Sequence, residues 1–278
     1  MDKRRFLLGG ATLGALTLVA ASATAQAPST GANTLRREGV PHRTARTINL
    51  FRSRQGWPNG MALAPEGVWV GEQQTGGANP VGVSNDVFLY DWSGRVLRTF
   101  PTRAKNTSGL GFGGGYLWVG GNAAPNGVYQ MTPDGETVSH RQIPLGGGGC
   151  HGVEWHAGKL WLVSTRMRAI VRVDPDTWTP ELLIPIQAQR SHESAYDNGA
   201  IWIVVGTGGG LSNRAGLHKY DAATGALLET VDFVDGSADP HGLLLRDGVL
   251  YSCDAGILPG APTRSSPASG YIFRIELD

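Results

Sequence analysis

Five times along the chain a polar residue stands ten residues ahead of a large aromatic one: Asn59 before Trp69, Ser108 before Trp118, His151 before Trp161, His192 before Trp202 and His241 before Tyr251. A register held through five copies means one supersecondary unit used repeatedly, each copy burying its apolar face against the next. In four copies the following residue is glycine (Gly60, Gly109, Gly152, Gly242), and in the fourth it is Glu193.

Within each copy a short apolar run, a turn signal and a second apolar run follow one another, as in "VEWHAGKLWLV" and "SAYDNGAIWIV". Gly, Asn-Gly or Asp-Gly between such runs reads as a β-hairpin. A third strand follows ("DVFLYDW", "IVRVDPD", "LHKYDAA") and then a fourth ("RVLRTFP", "PELLIPI", "ALLETVDF"). Each copy is thus a four-stranded meander of 41 to 49 residues, the size of a propeller blade. The last copy stops after its third strand, and "TARTINLFR" (44–52) supplies the missing one. The expectation is an all-β, five-bladed β-propeller over residues 44–278, with the N-terminal strand closing the last blade. A sixth blade would have to come from residues 53–107, where no further strands are left. The repeated tryptophans read as wedges between blades, and Trp57, in a connecting loop, as a pocket residue.

The 41 glycines and 16 prolines suit such a turn-rich fold. Residues 1–27 do not belong to it. Lys3, Arg4 and Arg5, a diluted apolar stretch and small residues near Ala25 and Ala27 read as an export signal of the twin-arginine kind, with a flexible segment over 28–43. The apolar run is shorter than the roughly 20 residues a bilayer needs. A periplasmic or secreted protein is expected, without a membrane partner once the signal is cut. Removing the signal changes 24 basic and 23 acidic residues to 21 and 22, which gives no electrostatic reason to expect nucleic acid. Nothing in the sequence fixes an oligomeric state.

In a propeller the first strand of each blade lines the central channel, so Asn59, Ser108, His151, His192 and His241 converge on one axis. Three imidazoles so gathered make a candidate site for a divalent transition metal: zinc first, with iron, manganese or copper as other options. The alternative is that each ring hydrogen-bonds a neighbouring blade. The ends of the second strands share that face, which adds Glu72, Asn122, Arg166, Thr207 and Asp254, and the loops after them ("EQQTGGANPVGVSND", "GTGGGLSNRA", "DAGILPGAPTRSSPAS") form a rim. Glu193 or Glu72 is the candidate proton acceptor, Glu193 alternatively pairing with Arg190 or Arg214, and Arg166 the clamp for developing negative charge. Glu154 and Asp239 are candidate supports for the histidines. Asn59, Ser108 and Asp254 join Trp57 as candidate substrate contacts. Cys150 and Cys253, the only cysteines, are open to three readings: a disulfide, two buried thiols or a thiolate ligand.

With its glycine turns, "LW" second strands and third-strand ends "RVDPDT" and "KYDAATG", the chain resembles the streptogramin (virginiamycin B) lyases over most of residues 45–278. That resemblance implies metal-assisted elimination in which a histidine removes a proton, on a scaffold of seven blades where this sequence has five. The three-histidine ring is also similar to that of peptide-amidating lyase propellers. Plant-type glutaminyl cyclases share the five-blade count, but their Glu-Gly-Leu signature is not found at the first-strand positions. The expected function is cleavage of a C–O or C–N bond of a small organic substrate by a metal-dependent lyase; ester or lactone hydrolysis and a non-enzymatic binding propeller are the alternatives.

Overall fold

A computed structural model describes residues 39–54, 57–73, 86–207, 214–255 and 270–278. The chain divides into Met1–Thr34, outside the described residues, and Leu35–Asp278, which holds every strand described here. The expected export signal (1–27) and most of the expected rim loops (74–85, 208–213, 256–269) also lie outside the described residues. Among the described residues no helix is long and apolar enough to cross a membrane.

The N-terminal strand β1 (His42–Arg52) starts two residues ahead of the expected 44. Three four-stranded sheets follow: β2 (Pro58–Ala64), β3 (Gly67–Glu72), β4 (Asp86–Tyr90) and β5 (Val96–Pro101); β6 (Lys105–Gly113), β7 (Tyr116–Ala123), β8 (Gly127–Met131) and β9 (Thr137–Arg141); β10 (Cys150–His156), β11 (Lys159–Ser164), β12 (Ala169–Val173) and β13 (Pro180–Pro185). The remaining strands are β14 (Ser191–Asp197), β15 (Ala200–Val205), β16 (Gly216–Asp221), β17 (Leu227–Phe233), β18 (Pro240–Arg246), β19 (Val249–Asp254) and β20 (Tyr271–Leu277). They join β1 in one eight-stranded sheet, ordered β14-β15-β16-β17-β1-β20-β19-β18. β1 pairs antiparallel with β20, as the missing fourth strand must, and also runs parallel to β17 over His42–Ala45. The second pairing ties the last two meanders together and was not foreseen. The chain is an all-β propeller.

Local chemistry explains the hairpins. Four inner turns place two consecutive residues at positive φ: Gly114-Gly115, Ala157-Gly158, Asn198-Gly199 and Asp247-Gly248. That backbone matches the twist of the strands it joins.

Each inner strand lies against the inner strand of the next meander, from β2 through β6, β10, β14 and β18 back to β2. Glycine makes this approach feasible. A Cβ on Gly60 would fall 2.8 Å from the Gly109 carbonyl carbon, one on Gly109 2.6 Å from the Gly152 Cα, and one on Gly152 2.8 Å from the Glu193 Cα. Farther out, Trp69, Trp118, Trp161 and Trp202 are all nearly inaccessible. Each packs with a residue on the next inner strand, four positions after the repeat residue. Phe112 meets Trp69 at 6.4 Å between ring centroids, Trp155 stacks on Trp118 at 5.9 Å, Tyr196 meets Trp161 at 5.7 Å, and Leu245 packs into the cluster holding Trp202.

A Gly109→Ala substitution forces backbone against backbone and should cost about 1–3 kcal/mol, lowering the melting temperature by roughly 2–10 °C in a domain of this size. Thermal unfolding followed by circular dichroism checks this; an unchanged midpoint would contradict the close packing of the inner strands.

Candidate functional site

The structure gathers the three histidines. The Nδ1 atoms of His151 and His192 are 3.4 Å apart, their ring centroids are separated by 5.3 Å, and those of His192 and His241 by 4.4 Å. His192 and His241 are more than nine-tenths buried. Burial is the main force lowering all three pKa values. His151 falls to about 4, with His241 and Arg190 adding to the depression, and His192 goes well below its ordinary range. His241 is lowered by burial and Arg190, against the pull of Asp239 and Asp254. At neutral pH the cluster is uncharged.

Two backbone groups meet His241 Nδ1: the Asp239 carbonyl at 3.0 Å, which can only accept, and the Ala255 N–H at 3.4 Å, which can only donate, the shorter contact favouring a proton on Nδ1. The Nε2 of His192 is buried with no hydrogen-bond partner among the described residues. Whichever ring donates between the two Nδ1 atoms, His192 Nε2 is a buried ring nitrogen that no group among the described residues satisfies.

On the neighbouring inner strands, Asn59 Nδ2 donates to the Thr107 carbonyl (3.3 Å) and to Ser108 Oγ (3.2 Å), and Ser108 Oγ donates to the Asn106 carbonyl (2.9 Å). Asn59 Oδ1 and Thr107 Oγ1 are buried without partners among the described residues. Buried polar atoms are usually satisfied, so a cluster of exceptions marks a place for water or ligand.

The acidic candidates have other duties. Glu193, fully buried, reaches across the ring to accept the backbone N–H groups of Leu110 (2.6 Å), Met61 (2.7 Å) and Leu243 (3.1 Å). Its carboxylate thus ties its own inner strand to three others, and the expected bridge to Arg190 or Arg214 does not form. Arg190 binds both carboxylate oxygens of Asp239 (2.9 and 3.1 Å), and Arg214 pairs with Asp235 at 2.9 Å. Burial pushes the Glu193 pKa well up, against the lowering effect of its three N–H donors.

Glu72 and Asp254, both fully buried, accept the N–H of Trp57 (2.8 Å) and of Asp239 (2.9 Å). In these contacts each clasps the residue two places before the repeat position. Trp57 is half-buried and Arg166 is exposed on the turn after β11, its stem over Gly148. Glu154 accepts the Tyr196 N–H at 3.3 Å and does not touch the histidines through any recorded bond; burial raises its pKa to about 8. Cys150 and Cys253 are free buried thiols, which removes the disulfide reading.

Sequence reasoning underweighted the Arg190–Asp239 pair. Asp239 also accepts the N–H (2.8 Å) and hydroxyl (3.2 Å) of Thr207, while its carbonyl orients His241. Burial alone would raise the Asp239 pKa, but His241, Arg190 and Thr207 bring it below the usual range. Its place two residues before a repeat histidine was the available signal. Beside it opens a cavity of about 230 Å³ that Thr207, Arg214 and Phe233 also line.

For a metal, the donor chemistry is suitable but the arrangement is incomplete. Two neutral imidazole nitrogens lie at the spacing of ligands sharing one ion, while His241 Nδ1 faces a carbonyl. Among the described residues no three His, Cys, Asp or Glu side chains form a group able to hold a metal ion.

Two outcomes follow. Titration by NMR should place the His151 midpoint at about 4. Because its folded pKa lies below the unfolded value near 6.5, the unfolded chain binds the extra proton; this residue's share of stability is lost as pH falls from about 6.5 to 4, and a His151→Gln variant should lack that part of the acid sensitivity. Glu193→Ala strands three buried N–H donors and should cost at least about 3 kcal/mol at roughly 1 kcal/mol or more each, measured by denaturant unfolding.

No family model matches the chain, and no curated protein matches it in sequence. Among solved structures, the glutaminyl cyclase of Myxococcus xanthus superposes with a TM-score of 0.62 at 12% identity, covering 86% of this chain and 98% of that one. U3-55K gives 0.50 at 10% identity, over 84% and 99% of the two chains. Virginiamycin B lyase from Staphylococcus aureus gives 0.47 at 17% identity, over 82% and 69%, too loose a fit to carry the sequence resemblance further. What these likenesses establish is the propeller fold, and they place the chain in no single family.

Proposed function

We propose that the protein is an enzyme that breaks a C–O or C–N bond of a small organic substrate by elimination at the axial histidine cluster. The observation that carries this reading is His192 Nε2, a buried ring nitrogen without a hydrogen-bond partner among the described residues, inside a cluster held neutral. A neutral imidazole is already in its proton-accepting form at pH 7. His192 takes the substrate proton, and its Nδ1–H, directed at His151, shares the charge that results. His241, oriented by the Asp239 carbonyl, presents its other nitrogen for a hydrogen bond, and the unpartnered Asn59 and Thr107 oxygens offer polar contacts for orienting the substrate. Glu193 and Glu72 act as positioning residues, holding the strands and loop that carry the site. Arg166, on the rim, is assigned the arriving substrate's negative charge. That the Myxococcus xanthus neighbour is named as an enzyme supports an enzymatic reading and says nothing of this substrate.

The 3.4 Å approach of the His151 and His192 Nδ1 atoms favours a second reading. In it the same rings hold a divalent transition metal, zinc first, with His241 turning to join them; when bound, such an ion supplies a Lewis acid for a substrate oxygen or activates water for ester or lactone hydrolysis. The export signal puts either activity in the periplasm or outside the cell.

The mature protein, incubated with small esters, lactones and ethers bearing an acidic proton beside the leaving group, should release products whose summed mass equals that of the substrate. His192→Gln should slow turnover by roughly 10²–10⁴-fold. Products heavier by one water would establish a hydrolase. About one equivalent of metal, lost in His151→Gln, would establish the second reading. Absence of turnover with metal-free protein from the native export route would leave a binding propeller.

A further inference from the structure

The fifth junction between sheets departs from the other four. Where those carry Trp69, Trp118, Trp161 and Trp202, this one carries Tyr251, and the residue that should pack on it, Leu63, stays 39% exposed. Tyr251 instead meets Trp92, from outside the repeat position, with ring centroids 4.9 Å apart. The space left over is a cavity of about 550 Å³ at the hairpin ends of the inner strands, lined by Leu63, Pro65, Trp92, Phe112, Arg246 and Asp247. It lies away from the histidines, which begin those strands, and its volume falls in the range of small-molecule sites.

We propose that this hollow binds a small aromatic carboxylate. The four filled junctions show what such a space takes: a flat ring against the next inner strand. Phe112, Leu63 and Pro65 supply the apolar wall for a ring. The polar end is Arg246, its guanidinium 4.3 Å from the centre of the Trp92 ring. Stacking fixes the cation at the edge of an apolar space, where a planar carboxylate gains two parallel hydrogen bonds. Its present partner is a weak competitor: Asp247 lies 3.3 Å away and is 86% exposed, so water and salt screen the pair. A ligand carboxylate brought in by its ring replaces that contact with a less solvated one. The site is independent of the histidine chemistry.

Calorimetric titration of the full mature protein with 2-naphthoate tests this. Saturable one-to-one binding is expected, weakened at least about tenfold in Arg246→Gln, the loss typical of a hydrogen bond to a charged group. Leu63→Trp should abolish binding by filling the hollow, His192→Gln should leave it unchanged, and cyclohexane carrying no acid group should not compete. Thermal melts matching the parent show that the variants are folded, and Phe112→Leu serves as a milder change with a smaller loss. Absence of heat at millimolar naphthoate, affinity indifferent to Arg246→Gln, or self-association that Leu63→Trp disrupts would overturn the proposal.

Discussion

The contact on which the structure depends is the near-touching of inner-strand backbones at Gly60, Gly109, Gly152 and Gly242. A side chain on Gly242 would strike Met61 Cγ at 2.7 Å and Cys253 Sγ at 2.8 Å, as the other three would strike backbone. A ring this tight has room near its centre for very little. One of the five positions carries a long side chain, and Glu193 uses it to bind main-chain N–H groups that no sheet partner claims. The same closeness sets the spacing of the residues one place earlier, so the histidine cluster follows from the glycines. Had the strands stood a few ångströms farther apart, the imidazoles would face separate water.

Electrostatics then decides the state of the cluster. Two imidazolium charges about 5 Å apart repel by roughly 3 kcal/mol at an effective dielectric constant of 20, and burial adds to that cost. Arg190, already a fixed positive charge nearby, opposes protonation further, although Asp239 cancels much of its effect. Neutral rings are thus imposed by position. Three uncharged imidazoles suit proton transfer, and their donor chemistry also suits a cation, although the arrangement for one is incomplete among the described residues.

The architecture was legible because repetition writes it five times. The turn residues, the wedge tryptophans and the closing strand each follow from local pattern and period. The roles of the carboxylates were not. Glu193 reads as a base near an axis, but its partners Met61, Leu110 and Leu243 lie on three other inner strands, and nothing near it in sequence points to them. The backbone donors of Glu72 and Asp254 were hidden in the same way, since nothing in an acid at a strand end says which N–H it accepts. The parallel pairing of β1 with β17 was hidden too, because it arises from where the last two sheets meet rather than from any motif.

That meeting point bears on why the junctions are unequal. The β18–β19–β20 meander is completed by β1, a strand from the opposite end of the chain, hydrogen-bonded along most of its length to β20. Main-chain bonds there are directional and hold register without help from a tryptophan wedge. Among the described residues no strand pairing crosses the junction just beyond, between this sheet and the β2–β5 sheet, where Tyr251 packs on Trp92. The hollow thus lies at a junction that side chains alone hold, where a smaller aromatic ring leaves space that backbone pairing does not close.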